Sequence, residues 1–211
     1  MDGVLLKEEA SKCETLLGCK ISSDLKWTQH LYALKSKLSK RLIGLNNLRY
    51  TCPFVLRKII AEGVFNSVIG YCLPVFGGMD TSDLKDLQIL QNKAARIVCN
   101  ASPRSNRQAL FKKLDWFSVN QMISYFSSIA IFKVRINSDP EYLARVLCRN
   151  GRNDRILLQN PKLAVAAKSF CYRGPSLWNS LPWNVRKAEK LETFKKLVKP
   201  WILENIAQFD E

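Results

Sequence analysis

A mostly α-helical fold, with a short N-terminal strand or hairpin and a small turn-rich element towards the C-terminus, is what this sequence predicts. Three observations lead there. Long stretches carry apolar residues at spacings of three and four, the period of a helix with one buried face. Proline, glycine and Asn/Asp/Ser clusters separate those stretches. The one short apolar run without that period, Thr15-Leu16-Leu17-Gly18-Cys19-Lys20-Ile21, lies near the N-terminus and closes at Ser22-Ser23-Asp24, as a strand leading into a helix cap does.

After that run, Trp27, Leu31, Leu34, Leu38, Leu42 and Leu45 fall on one face of a helix over about 25 to 49. At 100° per residue, Lys26, Lys37, Lys40 and Arg41 gather on the neighbouring sector. Pro53 suits the first turn of a second helix. Its Val55, Leu56, Ile59, Ile60, Val64, Phe65, Val68 and Ile69 are apolar almost all round and predict burial. Pro74 and Gly77-Gly78 end it, and Asp80, Thr81, Ser82 and Asp83 offer caps for a third helix over about 83 to 99, which Pro103 closes. Arg104, Arg107, Lys112 and Lys113 crowd a short linker helix. A fourth long helix spans about 118 to 136 and stops at Asn137-Ser138-Asp139-Pro140, with a short helix over 141 to 148 behind it. Residues 149 to 162, with Arg149, Arg152 and Arg155 among asparagines and a glycine, read as an exposed loop or domain boundary. A turn-rich element over 168 to 186 and a last helix over 190 to about 207 complete the chain. The organisation expected is therefore 1–24, 25–148 and 149–211, without internal repeats.

Charge narrows the function. Against 33 Lys+Arg stand 18 Asp+Glu, for a net charge of +15. The excess runs through the chain: 11 cations against 7 anions in residues 1–80, 13 against 6 in 81–160, and 9 against 5 in 161–211. Such a field favours a polyanionic partner, with binding that weakens as salt rises. The plain alternative is a basic, soluble surface. With 47% hydrophobic residues the chain lies outside the disordered class. Seven cysteines, at 13, 19, 52, 72, 99, 148 and 171, include no pair at the two-residue gap of a zinc or redox motif. They read as buried free thiols of a reducing compartment. The N-terminal residues lack a basic region ahead of a long apolar core, and no apolar run approaches the roughly 20 residues of a membrane span. The expectation is a nuclear or cytoplasmic protein without a membrane partner.

A catalytic centre is not expected. The nearest aspartates, Asp80, Asp83 and Asp86, lie at a helix start, where capping and dipole compensation are their ordinary work. His30 stands alone on an amphipathic helix, with Asp24 its one acidic neighbour, and reads as a packed or surface residue. The serines and cysteines lack an activating base, and a glycine-rich phosphate loop is missing. No catalytic residue, metal or cofactor is therefore assigned. Two stretches interleave cations with aromatics, Arg107 to Trp116 and Lys168 to Arg173. They read either as phosphate contacts beside stacking rings or as core aromatics beside solvated lysines.

Several segments, taken in order, resemble the downstream part of the reverse transcriptase of non-LTR (LINE-type) retrotransposons, the jockey and CR1 kind. Leu16-Leu17-Gly18-Cys19-Lys20-Ile21 followed by Leu25-Lys26-Trp27 and His30 is similar to the region that closes the palm and opens the thumb. Phe65 to Tyr71 with Pro74-Val75-Phe76-Gly77 is similar to the next block, with Phe76 where a tryptophan is usual. Leu87 and Leu90-Gln91-Asn92-Lys93-Ala94-Ala95-Arg96-Ile97 resemble the glutamine-bearing helix. Ser169-Phe170, Arg173-Gly174, Leu177-Trp178-Asn179-Ser180-Leu181-Pro182 and Phe194-Lys195 resemble the C-terminal block. The resemblance covers about residues 13 to 202. It implies a thumb-like helical bundle with post-polymerase sequence, translated from a truncated copy or an independent frame. The family is an RNA-directed DNA polymerase, but its paired palm aspartates are absent here, so no activity is expected of this chain alone. It further implies contact with an RNA or DNA backbone (template-primer or element RNA), a polymerase palm supplied in trans, and self-association through apolar surface. Lys26, Lys37, Lys40 and Arg41, with Arg104, Arg107, Lys112 and Lys113, are the candidate phosphate contacts. The rival is a helical protein-interaction scaffold that does not bind nucleic acid.

Overall fold

The structure, a computed structural model, describes residues 13–24, 26–147, 154–158 and 161–206. Leu25, Cys148, Arg149 and Arg152 lie outside these, as does half of the 149–162 stretch expected to be an exposed loop. Of the strand or hairpin expected at the N-terminus, the structure has the hairpin: β1 (Cys13–Leu16) pairs antiparallel with β2 (Cys19–Ser22), Leu16 opposite Cys19. Leu17 and Gly18 both have positive φ, 48° and 80°, the hand that a two-residue turn needs to match strand twist. Glycine takes that conformation freely and leucine does not. The Tyr71 hydroxyl holds the turn by donating to the Leu17 carbonyl at 2.7 Å. A leucine where Asn or Asp is usual hid the turn in the sequence.

Helices α1 to α6, between Thr28 and Leu114, surround the first apolar cluster. α1 (Thr28–Asn47) buries Leu31, Leu34, Leu38 and Leu45, as its spacing predicts. α2 (Phe54–Ala61) passes through a π-helical turn, Glu62–Asn66, into α3 (Ser67–Gly70), and α4 (Leu73–Phe76) follows. α5 (Thr81–Val98) runs parallel to α1: Lys35 pairs with Asp83 and Asp86 near the start of α5, and Arg49 bonds Asn100 and Ala101 just past its end. α6 (Arg107–Leu114) seals the cluster with Phe111 and Leu114. The burial expected of the second helix holds for its inner side alone. Phe65 and Ile69 are fully buried, whereas Val55, Leu56, Ile59 and Val64 are 65%, 44%, 59% and 39% exposed. α2 packs on α1 and α5, and its outer side faces solvent among the described residues.

α7 (Val119–Asn137) is common to both apolar clusters. A reciprocal cap fixes its start: the Gln121 N–H donates to Ser118 Oγ and the Ser118 N–H to Gln121 Oε1. Met122 and Ile123 belong to the first cluster, Ile131, Phe132 and Val134 to the second. The second cluster takes in α8 (Glu141–Leu147), α10 (Phe170–Ser180), α11 (Trp183–Arg186) and α12 (Leu191–Asn205), with a one-turn α9 (Ala164–Ala167) ahead of α10. At its centre Phe194 stacks on Phe132 and Trp178, at 4.4 and 5.8 Å between ring centres. The apolar division among the described residues thus crosses α7. The 168–186 stretch turns mainly at Leu181-Pro182 and is otherwise largely helical. Gly174 and Pro175, which suggest turns, sit inside α10, where the bare Gly174 lets α10 approach Ile131 of α7. No helix among the described residues is long and apolar enough to cross a membrane.

The two clusters are joined at Gly77-Gly78. A Cβ on Gly78 would lie 1.9 Å from the Lys168 carbonyl oxygen. Arg173 reinforces the junction, donating through Nε to the Lys168 carbonyl at 2.8 Å and through Nη2 to the Pro74 carbonyl at 3.1 Å. Gly44, exposed in the last turn of α1, has no such neighbour within 4 Å. Gly78→Ala should therefore destabilise the protein by about 3 kcal/mol through overpacking. Gly44→Ala should stabilise it by about 0.5–1 kcal/mol by removing a flexible residue from a helix. Denaturant unfolding of the two variants reads opposite signs.

Candidate nucleic-acid interface

The cations divide by residue type. Many arginines are tied into the fold by carbonyls that helix ends and turns leave without an intrahelical donor. Arg49 donates to the Ala101 carbonyl at 3.0 Å, and Arg57 to those of Val98 at 3.0 Å and Cys52 at 2.8 Å. Arg135 bonds the Leu147 carbonyl at 2.9 Å, pairs with Asp154 and lies over the Trp178 ring. Arg186 donates to the Leu181 carbonyl at 3.0 Å. Burial disfavours the charged form of Arg173 and Arg186 and lowers the pKa of each.

Of the sequence candidates, Lys26, Lys37, Lys40, Arg104, Lys112 and Lys113 are exposed, and Arg41 and Arg107 are half-buried. Arg41 donates to the Val64 carbonyl in the π-helical turn, so it secures that turn as well as adding charge. Lys113 lies 5.1 Å from the centre of the Phe54 ring. Cations of α1 and α6 are thereby brought to the two ends of one element, α2 and its π extension. Lys26 stands apart, near Asp24 at 3.7 Å. Phe111, Leu114 and Trp116 are buried, and Trp116 donates to Glu62 at 3.0 Å. In that stretch the aromatics are core and the lysines face solvent.

The sequence contains a stronger signal than helix phase. Between Asp24 and Glu62 there are eight cations and no carboxylate, and between Asp86 and Asp115 six more and none. These two stretches form α1, α2, most of α5 and α6, which pack together. Carboxylates gather instead at the start of α5. There Asp83 and Asp86 pair with Lys35, and Lys168 holds the Asp80 carboxyl below its usual range. Counting the intervals between acidic residues finds this segregation, which a helical wheel of α1 alone does not.

His30 is buried, and its Nδ1 accepts the Lys20 N–H at 3.3 Å, tying β2 to α1. Its ring lies 4.7 Å from Phe76 and 6.3 Å from Trp27. Burial, and then the Lys20 charge, push its pKa below the ordinary value near 6.5. On α5 the buried amides are structural too: Gln91 donates to the Phe117 carbonyl at 2.9 Å, and Gln88 accepts the Val119 N–H at 2.9 Å. Cys13, Cys19, Cys52, Cys72, Cys99 and Cys171 are free thiols. Burial, with the Cys72 thiol alongside, pushes Cys19 up to about 11. Among the described residues no group of three His, Cys, Asp or Glu side chains is placed to hold a metal ion. No family model, curated protein or solved structure matches the chain.

The neutral form of His30 is the one the fold favours, so its contribution to stability is complete above pH 6.5 and is lost as pH falls below that value. The lowered carboxylates Asp24, Asp80 and Glu192 act in a lower window, below their ordinary values near 4. The melting temperature should fall between pH 7 and 5, and His30→Leu, although less stable at pH 7, should flatten that fall. An equal fall in the variant would assign it to another group.

Proposed function

We propose that the chain binds the sugar-phosphate backbone of RNA or DNA and catalyses no reaction by itself, in the manner of a reverse-transcriptase thumb. The observation that carries this reading is the carboxylate-poor surface of α1, α2, α6 and the part of α5 after Asp86, on which Lys37, Lys40, Lys112 and Lys113 are exposed. Lysines in such a setting act as point charges on a flexible stem, suited to backbone contact without base readout. Neutralised phosphates release counterions, so affinity falls with salt by about 0.9 log unit per log unit for each contact with a duplex.

A specific observation also favours the rival scaffold reading. Val55, Leu56, Ile59 and Val64 are exposed aliphatic side chains along α2 and its π turn, between the Lys113 contact at Phe54 and the Arg41 contact at Val64. Aliphatic side chains do not stack on bases, and exposed apolar surface of this kind commonly serves protein contacts.

Binding to an RNA/DNA hybrid, measured at several ionic strengths, separates the two. Backbone binding requires a steep loss with salt. Replacing Lys37, Lys40, Lys112 and Lys113 together by alanine should lower the log-log slope by about one for each phosphate contact removed. An absence of binding at low salt would exclude the first reading, and an unchanged slope in the variant would clear this face.

A further inference from the structure

A cavity of about 720 Å³ opens between the start of α1, the turn from α4 into α5, α8 and the start of α10. Its size is that of a small-ligand site. The walls are largely apolar, with an aromatic ring from each of three elements: Trp27, Tyr142 and Phe170. Tyr142 is 69% exposed, so its ring is open to a partner. Rings arranged in this way favour a flat, aromatic occupant.

The rim narrows the chemistry further. Lys26 and Lys168 stand there with Asp80 and Asp83. A purely hydrocarbon ligand would desolvate all four groups without replacing their hydrogen bonds. A simple anion would meet two carboxylates. An occupant that suits both signs carries an anionic group for the lysines and N–H donors for the carboxylates. Asp80 and Asp83 already accept from Lys168 and Lys35, yet a carboxylate has about four acceptor positions and keeps room for another donor.

We infer that this cavity takes one unstacked nucleobase of a single strand, its ring among Trp27, Tyr142 and Phe170 and its adjoining phosphate at Lys26 and Lys168. The inference rests on the nucleic-acid reading above and adds a second, base-dependent site to it. The wall is built in, because Arg173 and the Gly78 approach hold residues 168–173 against the turn after α4. Base stacking on side chains tolerates any sequence, so the site favours single strands over duplex without reading a sequence.

The test uses the full chain and two labelled single strands of equal length and charge, one of deoxyadenosine and one of abasic tetrahydrofuran units, compared by fluorescence anisotropy at one salt concentration. The base-bearing strand should bind roughly tenfold more tightly. Tyr142→Ala and Phe170→Leu should each bring the ratio of the two affinities towards one, and a ratio that persists in both variants would overturn the assignment to this cavity. Equal binding of the two strands by the unaltered chain would overturn the base site and leave backbone binding standing. Failure of both strands to bind at low salt would overturn both.

Discussion

Every helix end leaves carbonyls without an intrahelical donor, and in this protein arginine side chains supply many of the missing bonds. Arg57 reaches from α2 to the last residue of α5, Arg49 to the loop just beyond it, and Arg135 to the last residue of α8. Arg186 bonds the carbonyl that ends α10, and Arg173 a carbonyl in α4. A guanidinium is suited to this because its several donors are held in a rigid plane and its charge resists the lowering that burial imposes. Each of these contacts is also a tertiary contact, so the helix ends and the packing of helices are secured by the same residues. Lys37, Lys40, Lys112 and Lys113, each with one flexible ammonium, are left at the surface.

The Gly77-Gly78 junction depends on that arrangement. Arg173 can bridge Lys168 and Pro74 because the backbone of 168–173 lies against Gly78 without an intervening Cβ. Two apolar clusters thereby share α7 and one close backbone contact. The cavity lies beside that contact, since chain from both clusters must bend round it. Trp27, His30 and Phe76 pack against each other at the same end of the molecule, and Tyr71 holds the hairpin there. Trp27, His30, Tyr71 and Phe76 are thus packing residues of this end of the fold.

Helix positions were legible because a buried face imposes a period. α1, α5 and α7 lie within a few residues of where apolar spacing puts them. Three features were not legible. The turn of the expected hairpin escaped because Leu17 occupies a position that leucine seldom takes. The exposure of α2 escaped because an all-round apolar helix implies a cover on every side, and composition does not show whether one exists. The turn-rich element expected over 168–186 is largely α10, because Gly174 facing a neighbouring helix serves close packing as well as it serves a turn. For the candidate site, the exposure of the lysines was readable, but the attachment of Arg41 to Val64 depends on a contact 23 residues away.

The exposed aliphatic side chains of α2 and its π turn, with the cations at their two ends, do not conflict with a nucleic-acid ligand. Aliphatic groups next to an ammonium displace water and lower the local dielectric, which strengthens its attraction to a phosphate. Sugar C–H groups alternate with phosphates along a strand and give these side chains apolar contact without stacking. A protein partner would use the same side chains differently, burying the aliphatic groups as the centre of the interface and the lysines as its rim. The two uses differ in thermodynamic signature. Backbone binding is governed by counterion release and varies chiefly with salt, whereas burial of Val55, Leu56, Ile59 and Val64 gives a negative heat-capacity change that salt barely alters. The two proposed readings of this surface are thus told apart by whether counterion release or apolar burial drives the association.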